Sequence, residues 1–290
     1  MGPVAQVIKV ELREGLARLG WVEGRNLRTD FRFAAGDSGR LAAYAEELVK
    51  LRPDAILAAG GPAAQAVQQR TQVIPILFFG GDDAVDNNYV SSVRRPTGNM
   101  TGFPNAFTSE GGKWLELLKE AVPRITRVAI IFDANLLPSD SPMLAVIDDA
   151  APHFALTIVR IPLRDPVDIE RISAFAADPD GAMLMIGVTA SAPVKRDAIE
   201  RLAVQYRLPA MYGGGNFVED GLLMTQGPDI NDLFRGVASY IDHILRGSKP
   251  GDLPVQYPTR FELVVNLRVA TAIGLTIPET FLVRADKVIE

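Results

Sequence analysis

Short apolar runs alternate along the chain with longer stretches in which apolar residues recur every three or four positions. Short runs are typical of buried strands, and the longer stretches of amphipathic helices. Their alternation predicts βαβ units with a parallel sheet covered by helices. The predicted strands are 26–34, 54–60, 74–80, 127–133, 155–163, 181–187, 208–213, 222–227 and 261–266. The predicted helices are 8–21, 38–52, 62–70, 83–94, 109–123, 141–154, 166–178, 192–207, 229–246 and 267–275.

Stretches rich in proline and glycine interrupt this alternation, and the pattern restarts after the first of them. Two similar α/β blocks therefore predict two lobes, between which the chain crosses three times. The expected lobe 1 is 1–102 plus about 226–252, and lobe 2 is about 107–222 plus 257–290. The expected crossings lie near 101–107, 213–227 and 250–260.

The fold class predicted from this pattern is α/β, with two doubly wound parallel-sheet lobes joined by a three-strand hinge. Such a hinge permits closure around a cleft between the lobes. Ligands of open parallel sheets bind outside the carboxyl ends of the strands. The residues that follow each predicted strand are therefore the candidates for a site.

Composition narrows the possible functions of these 290 residues. The net charge is −5 with basic residues scattered, which argues against a nucleic-acid partner. The chain has no cysteine and two histidines, His153 and His243, which we interpret as surface or packing residues. This inventory argues against thiol catalysis, a histidine-based triad and a multi-histidine metal site, and we expect no cofactor. We also detect no signal peptide and no apolar run long enough to span a bilayer.

In lobe 1, glycines follow two predicted strands. Gly60 and Gly61 precede a predicted helix, whose first amides at Ala63 and Ala64 are suited to an anionic group such as a carboxylate. A plain tight turn is the alternative. Gly81 and Asp82 follow the next strand, where Asp82 and Asp83 suit an ammonium group or a metal, or simply the start of a helix.

In lobe 2 and the hinge, polar and aromatic residues occupy the corresponding positions. Asp133 and Asn135 suit an amine or hydroxyl, with loop capping as the alternative. Thr189 can donate or accept, with capping of the following helix as the alternative. Tyr212 and Phe217 suit an apolar or aromatic ligand, with core packing equally consistent with the pattern. Thr101, in the hinge, completes the candidate set, which is Gly60, Gly61, Ala63, Ala64, Gly81, Asp82, Thr101, Asp133, Asn135, Thr189, Tyr212 and Phe217.

These candidates include no evident pair of nucleophile and base. The inventory of amides, hydroxyls, carboxylates and aromatic rings favours binding over catalysis, and we expect the protein not to be an enzyme.

An ordered series of phrases resembles one family. The phrases are GWVEGRNL, LAAYAEELVKLRPDAILAAGGPAA, IPILFFGGDDAV, RPTGNMTGF, WLELLKEAVPRITRVAIIFD, LPAMYGGGNFVEDGLLMTQGPD and LPVQYPTRFELVVNLRVATAIGLTIPETFLVRADKVIE. Together they resemble the ABC-transporter substrate-binding proteins of the tryptophan/tyrosine-binding type. The resemblance covers the chain from about residue 10, and the last phrase is the most diagnostic.

The resemblance implies a type I periplasmic-binding fold and a bacterial solute-binding component of an ABC importer. It implies a small-molecule solute, an aromatic amino acid or related carboxylate, delivered to permease subunits in the membrane. Localisation is expected to be periplasmic or lipid-anchored at the outer face of the inner membrane. Two features depart from the family: the chain apparently lacks the first strand, and the loop IGVTASA lacks an acid that many members carry.

Two alternatives remain open from the sequence. A cytoplasmic ligand-sensing module of the repressor-effector type shares the expected fold. An α/β enzyme using Asp82 or Asp133 is the second alternative.

Overall fold

The structure, a computed structural model, describes residues 3–34, 37–81, 84–85, 88–104, 108–134, 137, 139–164, 168–177, 180–187, 193–214 and 221–290. The chain divides into two compact units. Unit 1 comprises residues 1–106 and 230–260, and unit 2 comprises 107–229 and 261–290. In the described part of the chain, no helix combines the length and the apolar character needed to cross a membrane.

The helices and strands alternate through most of the chain. The helices are α1 (Pro3–Arg18), α2 (Ser38–Lys50), α3 (Gly61–Gln68), α4 (Gly111–Ala121), α5 (Pro142–Ala150), α6 (Asp168–Ala176), α7 (Pro193–Gln205), α8 (Ile230–Leu245), α9 (Leu267–Ala272) and α10 (Glu279–Leu282). The strands are β1 (Ile56–Ala59), β2 (Ile76–Phe79), β3 (Met100–Phe103), β4 (Arg127–Asp133), β5 (Thr157–Leu163), β6 (Gly181–Ile186), β7 (Ala210–Gly213), β8 (Met224–Pro228), β9 (Phe261–Asn266) and β10 (Lys287–Ile289).

Unit 1 contains a parallel sheet in the order β1-β2-β3. Side chains alternate between the two faces of a strand, so each face buries its own apolar set. Ile76 and Phe78 pack in the cluster that includes residues of α2 and α3, whereas Leu77 and Phe79 pack in the cluster of α1 and α8. The sheet of unit 1 is therefore covered by helices on both faces.

Three predictions for unit 1 are wrong. Residues 28–34 form no strand, and the only bridge of this region joins Glu23 and Leu27. Instead, the alternating residues Phe31 and Phe33 stack on each other, with ring centroids 6.0 Å apart. The described residues of the predicted helix 83–94 form turns, with Asn88 in the left-handed region at φ 55°. Conversely, β3 lies in the glycine-rich stretch that we interpreted as a break.

Two helices of unit 1 show how local sequence determines a cap and a buried face. The helix α2 is capped by Asp37, whose side chain accepts from the Arg40 amide. Val10 in α1 and Leu19, which follows it, are 51% and 38% exposed. Leu12 and Leu16 carry the buried contact with α8, because only they share the face that lies on that helix.

Unit 2 contains a seven-stranded sheet in the order β10-β9-β8-β7-β6-β4-β5. All neighbouring strands are parallel except β8 and β9, which are antiparallel, so the expectation of a purely parallel sheet is corrected here. Residues 226–229 belong to unit 2, and not to the first lobe as expected, because β8 pairs with both β7 and β9. One face of the sheet packs against α4 and α5, and the other against α6 and α7.

A carboxylate on α8 links the loop after α1 to the rest of unit 1. Asp242 accepts hydrogen bonds from Trp21 Nε1 at 2.8 Å and Arg246 Nε at 2.7 Å. Burial raises the pKa of Asp242, but these two bonds, together with the positive charge of Arg246 and the contribution of His243, hold the pKa below its ordinary value. The stabilisation is therefore present above the ordinary pKa and is lost as the pH falls through the lowered one.

We expect Asp242→Asn to flatten this acid dependence. The variant loses the charge that both donors face, at a cost of about 1 kcal/mol at neutral pH. The measurement is the free energy of unfolding by urea, at several values between about pH 7 and pH 3. An unchanged difference between wild type and variant over that range would contradict the assignment.

Candidate functional site

The carboxyl ends of the three strands of unit 1 form one edge. The Gly60 amide donates to the Phe79 carbonyl at 2.8 Å, and the Gly80 amide donates to the Phe103 carbonyl at 2.8 Å. These bonds continue the sheet beyond its last strand residues and bring the segments Gly60-Gly61 and Gly80-Gly81 side by side. The structure thus brings together the glycines that the sequence singled out in this lobe.

Glycine is required at this edge by close packing. A Cβ atom on Gly81 would lie 3.2 Å from both the nitrogen and the Cα of Gly61, and Gly81 has a φ of +89°. A Cβ on Gly61 would lie 2.7 Å from the hydroxyl oxygen of Tyr89. The backbone of both glycines is therefore uncovered by side chains of their own, and Tyr89 lines the same edge.

The first turn of α3 presents amides at this edge. Gly60 is the N-cap at φ 92° and provides no side-chain cap, and Pro62 has no N–H group. The Ala64 amide donates to the Gly60 carbonyl at 3.0 Å. In this first turn the amides of Gly61 and Ala63 lie before the first intrahelical bond, which leaves them for a partner outside the helix.

Ala64 itself does not fit the predicted role. Its amide is used within the helix, and its side chain is fully buried in the core of unit 1. We therefore leave it out of the proposed contacts.

Thr101 is also placed away from the edge. It is the second residue of β3, is fully buried, and donates its hydroxyl to the Leu253 carbonyl at 2.7 Å. This bond joins β3 to the segment after α8 inside unit 1. The geometry therefore gives Thr101 a structural bond within the unit instead of a place beside the glycines.

In unit 2, two predicted residues are described. Asp133 is the last residue of β4 and is 4% exposed. Tyr212 lies in β7 and is buried in the cluster that contains Ile131 and Met185, as in the core-packing alternative. Asp82, Asn135, Thr189 and Phe217 lie outside the described residues.

A second polar group at the strand ends of unit 2 was not predicted. Trp114 Nε1 donates to Gln226 Oε1 at 2.6 Å, and Gln226 Nε2 donates to Glu110 Oε2 at 3.3 Å. Neither this chain of bonds nor the position of Tyr89 beside Gly61 could be predicted from the local pattern of apolar and polar residues. Trp114 and Gln226 are 112 positions apart, and Tyr89 lies in a segment that we had interpreted as a helix.

Metal binding finds no support in the described part of the chain, which holds no cluster of three or more His, Asp or Glu side chains suited to an ion. Both histidines are exposed, in agreement with the interpretation of them as surface residues. The polar groups at the strand ends are thus amides, hydroxyls and carboxylates, which are suited to hydrogen bonding with a small polar molecule.

Comparisons with known proteins identify relatives over the whole chain. A solved structure of a conserved domain protein from Vibrio cholerae is 25% identical with a TM-score of 0.87, covering 99% of this chain and 96% of that one. A solved structure of an ABC domain in complex with L-Trp from Streptococcus pneumonia is 22% identical with a TM-score of 0.84, covering 100% of this chain and 97% of that one. The curated Tyrosine-binding protein of Clostridioides difficile is 24% identical over 250 residues, which are 85% of this chain and 70% of that protein.

The solved structures confirm the periplasmic-binding-protein-like α/β fold. The relatives support the importer interpretation over the repressor-effector module and the α/β enzyme. The model of the family "ABC transporter substrate binding protein" matches residues 2–289, and this chain therefore belongs to that family.

Proposed function

We propose that this protein binds an aromatic amino acid or a related carboxylate outside the cytoplasmic membrane and delivers it to the permease of an ABC importer. The family match over residues 2–289 carries the general role. The choice of ligand is supported by two relatives, one described as tyrosine-binding and one solved with L-Trp.

The strand-end edge of unit 1 would bind the carboxylate. The amides of Gly61 and Ala63 lie in the first turn of α3, where the helix dipole favours a negative group. Gly61 and Gly81 carry no side chain that would keep a ligand from the backbone. The Tyr89 hydroxyl lies beside Gly61 and adds a polar group to the same edge.

Asp133 in unit 2 stays in the proposal as a polar contact, as do Asp82, Asn135 and Thr189 from the sequence, and Phe217 stays as an aromatic contact. Tyr212 stays in the proposal only through the small exposed part of the residue, because most of its side chain packs in the core. The cleft between the lobes and its closure remain predictions.

Ligand screening by thermal shift tests the proposal. Purified protein is heated with amino acids, small organic acids and purines in turn. A ligand at 100 times its Kd stabilises the native state by about 2.7 kcal/mol, so L-tyrosine or L-tryptophan should raise the melting temperature clearly. A broad library that produces no shift with any aromatic amino acid or carboxylate would contradict the proposal.

Gly61→Val is expected to weaken ligand binding at least tenfold. The new side chain begins 2.7 Å from the Tyr89 hydroxyl oxygen and covers the amides of the first turn of α3. Isothermal titration with L-tyrosine and L-tryptophan measures the loss. Gly39→Val is the matched control, because Gly39 lies in the exposed first turn of α2 in the same unit.

A second variant separates blocking from misfolding. Gly61→Ala combined with Tyr89→Phe removes the hydroxyl that the new methyl group would meet, while the methyl still covers the amides. Tyr89→Phe alone is the reference, because the Tyr89 hydroxyl belongs to the same edge. We expect the double variant to match the melting temperature of Tyr89→Phe and to bind the ligand more weakly than Tyr89→Phe does. Unchanged affinity in Gly61→Val would remove this edge from the site.

A further inference from the structure

Three side chains at the strand ends of unit 2 form a continuous chain of hydrogen bonds. The Trp114 indole donates to the Gln226 amide oxygen at 2.6 Å, and the Gln226 amide nitrogen donates to the Glu110 carboxylate at 3.3 Å. Trp114 is fully buried and Gln226 is 7% exposed, whereas Glu110 is partly exposed. The chain of bonds therefore runs from the core to the surface and ends on a carboxylate.

The donor and acceptor types fix the direction of this chain. An indole N–H can only donate, so it selects the oxygen of the Gln226 amide and turns the NH₂ group toward Glu110. An ionised carboxylate only accepts, and its two oxygens offer about four acceptor positions. Glu110 is thus held as an acceptor, and one bond from Gln226 leaves it capacity for further donors.

The backbone places this carboxylate at the carboxyl end of β7, and open α/β sheets bind ligands outside the carboxyl ends of their strands. Gln226 is paired with Gly213, the last residue of β7, so both lie at its carboxyl end. A Cβ on Gly213 would lie 2.7 Å from the Trp114 ring, so the ring lies against this strand end. Glu110 immediately precedes α4 and reaches the same end through Gln226.

We propose that Glu110 accepts the ammonium group of the amino-acid ligand and that Gln226, fixed by Trp114, is its positioning residue. This assignment rests on the proposed function. Glu110 would thus take the place of the acid that the loop IGVTASA lacks, although Glu110 precedes α4 and that loop follows β6 of the same unit.

Charge and exposure favour Glu110 over the other described acids of this edge. The amino end of α4 carries about half a positive charge, whereas an ionised Glu110 carries one full negative charge. The net charge at this position is therefore negative and attracts a cation. Asp133 and Asp229 are 4% and 6% exposed, and each already takes part in an interaction. Glu110 is the acid that combines a fixed orientation with access from solvent.

The test compares each amino acid with its counterpart that lacks the ammonium group. The probes are L-tyrosine with 3-(4-hydroxyphenyl)propanoate, and L-tryptophan with 3-(indol-3-yl)propanoate. Glu110→Gln keeps an acceptor for Gln226 but removes the charge. We expect it to weaken binding of the amino acid about 10- to 100-fold and to leave the deaminated counterpart within about twofold of wild type.

Glu120→Gln is the matched control, since Glu120 lies at the other end of α4 and pairs with Arg284. We expect it to change neither affinity. Gln226→Leu should lower the affinity for the amino acid selectively, as Glu110→Gln does, because it leaves the carboxylate unpositioned.

The outcomes separate this assignment from the function on which it rests. If Glu110→Gln loses affinity equally for both members of a probe pair, or for neither, the role of Glu110 is overturned. Binding of the amino acid by the wild type would then still support the proposed function. A selective loss in Asp133→Asn but not in Glu110→Gln would transfer the role to Asp133. A wild type that binds none of the four probes would overturn the proposed ligand and this assignment with it.

Discussion

Replacing Gly102 by alanine is expected to destabilise unit 1 by about 3 kcal/mol or more. A Cβ at this position would lie 2.1 Å from the Phe78 carbonyl oxygen and 2.7 Å from Cγ of the same residue. The carbonyl belongs to the backbone of β2, the central strand, and Gly102 and Phe78 are register partners. The clash therefore cannot be relieved by a side-chain rotation and must separate the two strands.

Urea denaturation followed by far-UV circular dichroism measures this effect. Gly39→Ala is the control in the same unit, since Gly39 is exposed in the first turn of α2 and its Cβ would approach only the Asp37 side chain, at 3.3 Å. We expect the control to change the free energy of unfolding by less than about 1 kcal/mol. A Gly102→Ala variant as stable as that control would contradict the pairing of β3 with β2.

Breaking the bond between Trp114 and Gln226 is expected to cost about 2–3 kcal/mol from either side. Gln226→Leu leaves the buried indole N–H without its acceptor, and Trp114→Phe leaves the amide oxygen without its donor. An unmatched buried polar group loses its hydration without a replacement, which is why each single change is costly.

The double variant should be less destabilised than the sum of the two single variants. Removing both partners leaves no unmatched polar group between them, so we expect a coupling of at least about 1 kcal/mol in a double-mutant cycle. The free energies of unfolding of all four proteins measure it. Strictly additive effects would show that the bond contributes nothing to stability in unit 2.

Local pattern was sufficient for much of the architecture. Strands such as 127–133 and 181–187 are continuous apolar runs, which is the signature of a parallel strand buried on both faces. The segment at Gly60 combines a buried strand, a glycine with positive φ and a helix start, so its chemistry was readable from the sequence.

Other features depend on contacts that no local window contains. The strand β3 was missed because Gly102 reads as a loop residue, although its lack of a side chain is what lets β3 approach Phe78. Likewise, Gln226 was read only as the end of a strand, since its significance comes from Trp114, which is distant in sequence. Residues 28–34 alternate as a strand does, but their Phe side chains stack on each other, with Lys9 over the ring of Phe31.

The antiparallel pairing of β8 with β9 has a consequence for synthesis of the chain. Residues 230–260, which separate these two strands, belong to unit 1. While a ribosome is making that segment, β8 is an edge strand with unpaired backbone groups, and such edges are prone to intermolecular pairing. Nascent chains that end before Phe261 should therefore be the aggregation-prone species, and synthesis of residues 261–290 covers the edge.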